Sequence, residues 1–212
     1  MRAGVRPAGG SVLNLALMHG AVKPVLFLLC LLPFAGLLYG TVVDALGPNP
    51  AEYLLRSTGD WTLRFLCVAL AVTPLRVMAK LPVLARWRRM LGLFVFFYAV
   101  LHLLCYAWFD MGFELGDIVA DIGKRPFILV GFAAFVGLTL LAATSFNRAV
   151  RALGGKRWQA LHRLVYVIAG LALLHFFWMR AGKRGFGEVA VYAAIVAALE
   201  AVDAVAIFEE DS

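Results

Sequence analysis

A chain of 212 residues that is 63% hydrophobic and 16% charged, with a mean hydropathy of +0.86, is too apolar for a soluble domain, where the apolar share is about one half. Its formal net charge of +7 comes from short basic clusters between apolar runs, which excludes a basic nucleic-acid-binding face and reads instead as membrane topology. Apolar runs of about 20 residues suit helices crossing about 30 Å of hydrocarbon, whereas a membrane barrel would alternate in roughly ten-residue segments. The expected fold class is therefore an all-α integral membrane protein, a six-transmembrane-helix bundle.

Residues 1–23 are expected to form a cytoplasmic amino-terminal segment, in which His19 near Lys23 is an interfacial histidine without a role. The first span, PVLFLLCLLPFAGLLYGTVV, carries no charge and no small-residue cleavage site after it, which predicts a retained helix rather than a signal peptide. Further spans are expected at about 61–79, 90–109, 126–146, 158–179 and 186–208, so that one transmembrane domain fills 24–208 and 209–212 is an acidic cytoplasmic tail. Lys and Arg set the orientation. Arg2, Arg6 and Lys23, then Arg76, Lys80, Arg86, Arg88 and Arg89, then Arg148, Arg151, Lys156 and Arg157 fall on one side, predicted cytoplasmic, as are both termini. Arg56, Arg64, Lys124, Arg125, Arg180, Lys183 and Arg184 are assigned to the opposite loops, diluted by acidic residues. Cys30, Cys67 and Cys105 are widely spaced within apolar runs, which predicts buried thiols with neither a disulfide framework nor a zinc site.

The third and fifth spans carry the chemistry. His102 stands eight residues before Asp110, and His175 five before Arg180. The shared outward direction of the two spans puts the histidines within about 5 Å of the same depth. Imidazoles at one level on different helices can supply both axial ligands to an iron macrocycle, as in helical haem b sites. An isolated membrane histidine more often bonds a neighbouring helix. Three on two helices favour a cofactor, because intramembrane ionisable groups usually mark function. His162 lies 13 residues before His175, roughly 20 Å nearer the cytoplasm and some 140° around an ideal helix, so the two would not serve one haem together. The position on the third span that would match His162 in depth is Arg89, which as a cation cannot ligate iron. His162 is then either a ligand to a second haem with a shared partner or part of a quinone or flavin site. Arg88, Arg89, Arg157 and Arg163 are candidates for a flavin phosphate or haem propionates, against the simpler reading of cytoplasmic-side anchors.

The pair RRMLGLFVFFYAVLHLLCYAW (88–108) and GKRWQALHRLVYVIAGLALLHFFW (155–178) resembles the ferric-reductase-like transmembrane superfamily. Within it the chain is most similar to the MsrQ (YedZ) family, the haem-binding membrane subunits of periplasmic methionine-sulfoxide reductase systems, and TPLR at 73–76 fits as well. The resemblance, from about residue 24 onward, implies a multi-pass protein of the bacterial inner membrane that binds haem b, with FMN also attributed to the family. It implies electron passage from the quinone pool or a cytosolic flavin reductase to a periplasmic molybdopterin subunit that reduces methionine sulfoxide in oxidised proteins. By position, His102, His162 and His175 match the family's haem-associated histidines, and Arg89 replaces the inner histidine of relatives with two haems. No nucleotide-binding glycine motif or molybdenum-ligating cysteine accompanies them, so no sulfoxide-reducing site is expected in the chain itself. A stand-alone transmembrane ferric or oxygen reductase is the rival within the superfamily. A small transporter is the rival of another class; it would need paired midplane charges, for which Glu200 and Asp203 are candidates, although both sit near the cytoplasmic end of the sixth span, where they can snorkel.

Overall fold

The computed structural model describes residues 12–181 and 186–211, and every regular element among them is helical. Arg2, Arg6, Lys183 and Arg184 lie outside the described residues. A short α1 (Val12–Leu17) precedes α2 (Val22–Val42), the first span, whose only charge is Lys23 at its start and which contains Pro33. Helix α3 (Pro50–Met78) starts on a good cap: the Asn49 side chain accepts from the Glu52 amide at 3.2 Å and donates back to the Glu52 carboxylate at 3.1 Å, with Pro50 in the first turn. After a 3-10 turn at Pro82–Leu84, α4 (Ala85–Cys105) runs without interruption into a wide π turn, Tyr106–Asp110. The remaining helices are α5 (Leu115–Lys124), α6 (Pro126–Ala143), α7 (Asn147–Leu153), α8 (Gly155–His162), α9 (Leu164–Ala181) and α10 (Phe186–Asp211).

Among the described residues five segments are long and apolar enough to cross a membrane: Val22–Val42, Pro50–Met78, Pro82–Asp110, Pro126–Ala143 and Gly155–Arg180. The expected sixth span falls on α10, which packs against α3 and α9 and continues through Asp211 into the expected tail. Two boundaries differ from expectation. Helix α3 begins at Pro50 rather than near 61, so Arg56 and Arg64, assigned from sequence to an outer loop, stand on the helix. The fifth span is interrupted for a single residue at Arg163, between α8 and α9, where the backbone keeps helical angles (φ −64°, ψ −17°) but the hydrogen-bond ladder shifts.

The bundle is organised as two antiparallel pairs, α3 with α4 and α6 with α9, joined by contacts of α4 with α6. The end that carries α5 is called here the outer end, and the end that carries α7 the inner end. Lipid offers no hydrophobic drive between helices, so close packing does the joining. In the first pair Phe65 stacks on Tyr98 at 5.0 Å and 14°, and Tyr98 is fully buried. In the second, Gly137 admits Ile168 so closely that a Cβ there would lie 2.9 Å from its Cγ1. Helix α2 joins the core through Phe27 on Phe94, Phe34 on Phe97 and a hydrogen-bonded insertion. The Tyr98 hydroxyl donates to the Cys30 carbonyl at 2.9 Å and accepts from the Phe34 amide at 3.1 Å, entering the helical ladder beside Pro33. All three cysteines are free thiols, Cys30 buried.

Candidate functional site

Each helix pair contributes one histidine and one glycine, and the two arrangements mirror each other. On α4, His102 lies against Gly59 of α3, where an added Cβ would come within 3.1 Å of the ring. Its Nδ1 sits 2.9 Å from the Leu55 carbonyl, four residues before that glycine, and 3.5 Å from the Thr58 hydroxyl. On α9, His175 lies against Gly131 of α6, where a Cβ would come within 2.7 Å of its Nδ1. That Nδ1 sits 2.7 Å from the Phe127 carbonyl, again four residues before the glycine. A carbonyl oxygen only accepts, so each Nδ1 carries the hydrogen and donates it, which leaves Nε2 of the neutral ring as the lone-pair atom.

The two rings meet edge to face, with centroids 6.2 Å apart and planes at 74°. Two imidazoles on opposite sides of one metal, at about 2 Å per metal–nitrogen bond, would have ring centres roughly 6 Å apart. An Nδ1–H held by a backbone carbonyl is also the usual outer support of a metal-ligating histidine, because it fixes tautomer and ring direction. The donor set thus fits a haem iron, which His102 and His175 would hold through their Nε2 atoms. It does not fit an ion needing three or four protein ligands, since no group of three or more His, Cys, Asp or Glu suited to a metal occurs among the described residues.

His162 is placed elsewhere. It ends α8 at the inner end, its ring stacked on Trp158 at 3.9 Å and its Nε2 3.3 Å from the Thr144 hydroxyl. Trp158 is held in turn by its indole N–H donating to the Thr144 carbonyl at 2.9 Å. Both rings line a cavity of about 270 Å³ with Arg76, Arg88, Arg89 and Arg163, a little under the usual range of small-molecule sites. Arg89 is oriented there by donating to the Asn147 side chain at 2.6 Å. Arg157 is exposed on α8 and does not line the cavity. The structure therefore gathers His102 with His175, and His162 with Arg88, Arg89 and Arg163.

The supporting groups were missed from sequence. Leu55 and Phe127 act through carbonyls, which no side-chain pattern reveals. Gly59 and Gly131 did leave a signal, as small residues on spans where close helix approach needs them.

Residues 58–173 match the family described as "Ferric reductase like transmembrane component", a stretch that opens at Thr58 beside His102. A protein of Polaromonas naphthalenivorans (strain CJ2) named protein-methionine-sulfoxide reductase heme-binding subunit MsrQ is 70% identical over 183 residues, covering 86% of this chain and 84% of its own length. Proteins of the same name from Herminiimonas arsenicoxydans and Ralstonia nicotianae (strain ATCC BAA-1114 / GMI1000) are 55% and 54% identical, each across 84% of this chain and 82% of the relative. No solved structure gives a significant match. With its site built on the matched helices and its identity sustained along most of each relative, the chain belongs to the ferric-reductase-like transmembrane family and, within it, to the MsrQ family.

Proposed function

We propose that this protein is a haem b electron-transfer subunit of the bacterial inner membrane, which passes electrons to a periplasmic molybdopterin methionine-sulfoxide reductase that repairs oxidised proteins. The observation that carries the reading is the pair of adjacent imidazoles, His102 and His175, one from each helix pair and each with its Nδ1–H committed to a backbone carbonyl. Bound there, haem supplies one-electron transfer. The chain's own part is to hold the two Nε2 atoms in place, where His102 and His175 would both ligate the iron and leave oxygen no open position on it. The relatives' printed names support haem binding and membership of a methionine-sulfoxide reductase. Sulfoxide reduction itself belongs to the partner, and this chain holds no catalytic residue for it.

The inner cavity is the proposed electron entry. Its arginines suit an anionic group such as the FMN phosphate or a haem propionate, and Trp158 with His162 offers a flat aromatic wall for a flavin or a quinone ring. The electron source is then the quinone pool or a cytosolic flavin reductase. In this arrangement α10 is the sixth span and both termini are cytoplasmic, as the basic clusters near Arg88 and Arg148 require.

Absorption spectra of the purified protein, oxidised and reduced, test the reading. Wild type shows a low-spin haem band. His102→Ala and His175→Ala each lose most of it, and retention of the full band by both variants would overturn the assignment. His162→Ala separates the inner readings: loss of part of the haem places a second haem there, whereas full haem with lost flavin or quinol oxidation places the entry site.

A further inference from the structure

Helix α5 connects the outer ends of two spans, Pro82–Asp110 and Pro126–Ala143. Its branched aliphatics, Leu115, Ile118, Val119 and Ile122, recur at i, i+3, i+4 and i+7 and so share one face. None of its residues is buried. Around the axis, at about 100° per residue, the helix divides into three sectors. Ile118 and Ile122 are half-buried, and Asp121 beside them accepts the Tyr106 hydroxyl at 2.6 Å and pairs with Arg125; this sector faces the bundle. Leu115 and Val119, 76% and 71% exposed, lie about 60° further round the same apolar face and are left uncovered by the protein. Asp117 and Lys124 point roughly 170° from those two.

Tyr106 lies four residues inside the end of its span, so its bond to Asp121 holds α5 at the depth of the span ends rather than above them. Exposed apolar surface continues on both sides of the helix. Trp108 stacks on Phe109 and on Phe113, all three exposed, and Leu129 and Phe132 are exposed on α6. Exposed tryptophan at a span end is the mark of the membrane–water boundary. A protein approaching along the membrane normal would meet Asp117 and Lys124, whereas Leu115 and Val119 continue the lipid-facing surface of α4 and α6.

We propose that α5 is an interfacial helix that seats Leu115 and Val119 at the acyl boundary of the lipid leaflet on the His102–His175 side, with Asp117 and Lys124 in water. The rim beside the histidine pair is then fixed in depth by lipid as well as by protein packing.

Spin labels on single cysteines test this. Leu115→Cys, Asp117→Cys, Val119→Cys and Lys124→Cys are made in full-length protein whose Cys30, Cys67 and Cys105 are replaced by alanine, and are reconstituted in phosphatidylcholine–phosphatidylglycerol vesicles. Labels at 115 and 119 should collide with oxygen in preference to a water-soluble nickel chelate, with a ratio severalfold above that at 117 and 124. Nickel access at all four positions would overturn the proposal, and so would shielding of 115 and 119 from both reagents, which means a protein cover. A second measurement uses the unsubstituted protein with a lipid bearing a photoreactive group on its acyl chain. Adducts should appear on Leu115 and Val119; labelling of Leu129 and Phe132 without them would equally overturn it.

Discussion

At the scale of residues, the two histidines are seated with unequal tolerance. A Cβ at position 131 would lie 2.7 Å from the Nδ1 of His175, whereas one at 59 would lie 3.1 Å from the ring of His102. Contacts under 3 Å force a shift, and His175 can shift only by releasing the Phe127 carbonyl. Gly131→Ala should therefore lower haem per protein, measured as the pyridine haemochrome, well below the level of Gly59→Ala. A second contrast concerns pH. Some desolvation pushes the Asp121 carboxyl up, but the Tyr106 hydroxyl and the Arg125 guanidinium outweigh it and hold the group below the usual carboxylate range. A depressed native pKa stabilises fully above the unfolded value of about 3.9 and ceases to as pH falls through the native one. Thermal stability should thus be indifferent to this group between about pH 6 and 8 and fall below about pH 4, and Asp121→Asn should lack its share of that acid loss. The histidines were legible in the sequence because an ionisable ring in an apolar run is costly. What makes them a site, two carbonyl acceptors and the closeness of two glycine backbones, belongs to the packing.

At the scale of elements, the spans were legible as apolar runs but their ends were not. Arg56, Asp60 and Arg64 read as a loop because charge ends a hydropathy run. The structure keeps them helical by giving each a partner: Arg56 pairs with Glu52, Asp60 lies 3.6 Å from Arg180, and Arg64 covers the Trp61 ring at 4.7 Å while its Nε donates to the Tyr192 hydroxyl at 3.3 Å. The interruption at Arg163 was hidden for the opposite reason, since KRWQALHRLVYV contains no glycine or proline to mark it. Helix α2 depends on another element for its own ladder. Tyr98→Phe removes the hydroxyl between the Cys30 carbonyl and the Phe34 amide, and should cost about 1–2 kcal/mol. The midpoint of denaturant unfolding in detergent should fall accordingly, while the haem spectrum is unchanged because His102 and His175 keep their carbonyls.

At the scale of the whole molecule, each helix pair brings one imidazole, so the site exists only where the pairs meet, and neither pair alone can present two ligands. The basic clusters at the inner end and the interfacial α5 at the outer end give the bundle its polarity. Fusions should report it: a cytoplasm-active fluorescent protein after residue 212 should be active, and a periplasm-active phosphatase inserted after Gly112 should be active too. An inactive phosphatase at 112 would reverse the bundle. The Tyr98 hydroxyl also imposes an order of assembly. Helix α2 leaves the ribosome long before residue 98 exists, so beside Pro33 it must wait in lipid with the Phe34 amide and the Cys30 carbonyl not yet bridged. The α3–α4 hairpin, closed by a short connection, can pack as soon as both halves are inserted. The first span made therefore settles only after the α3–α4 hairpin, against a hydroxyl that the hairpin has already placed.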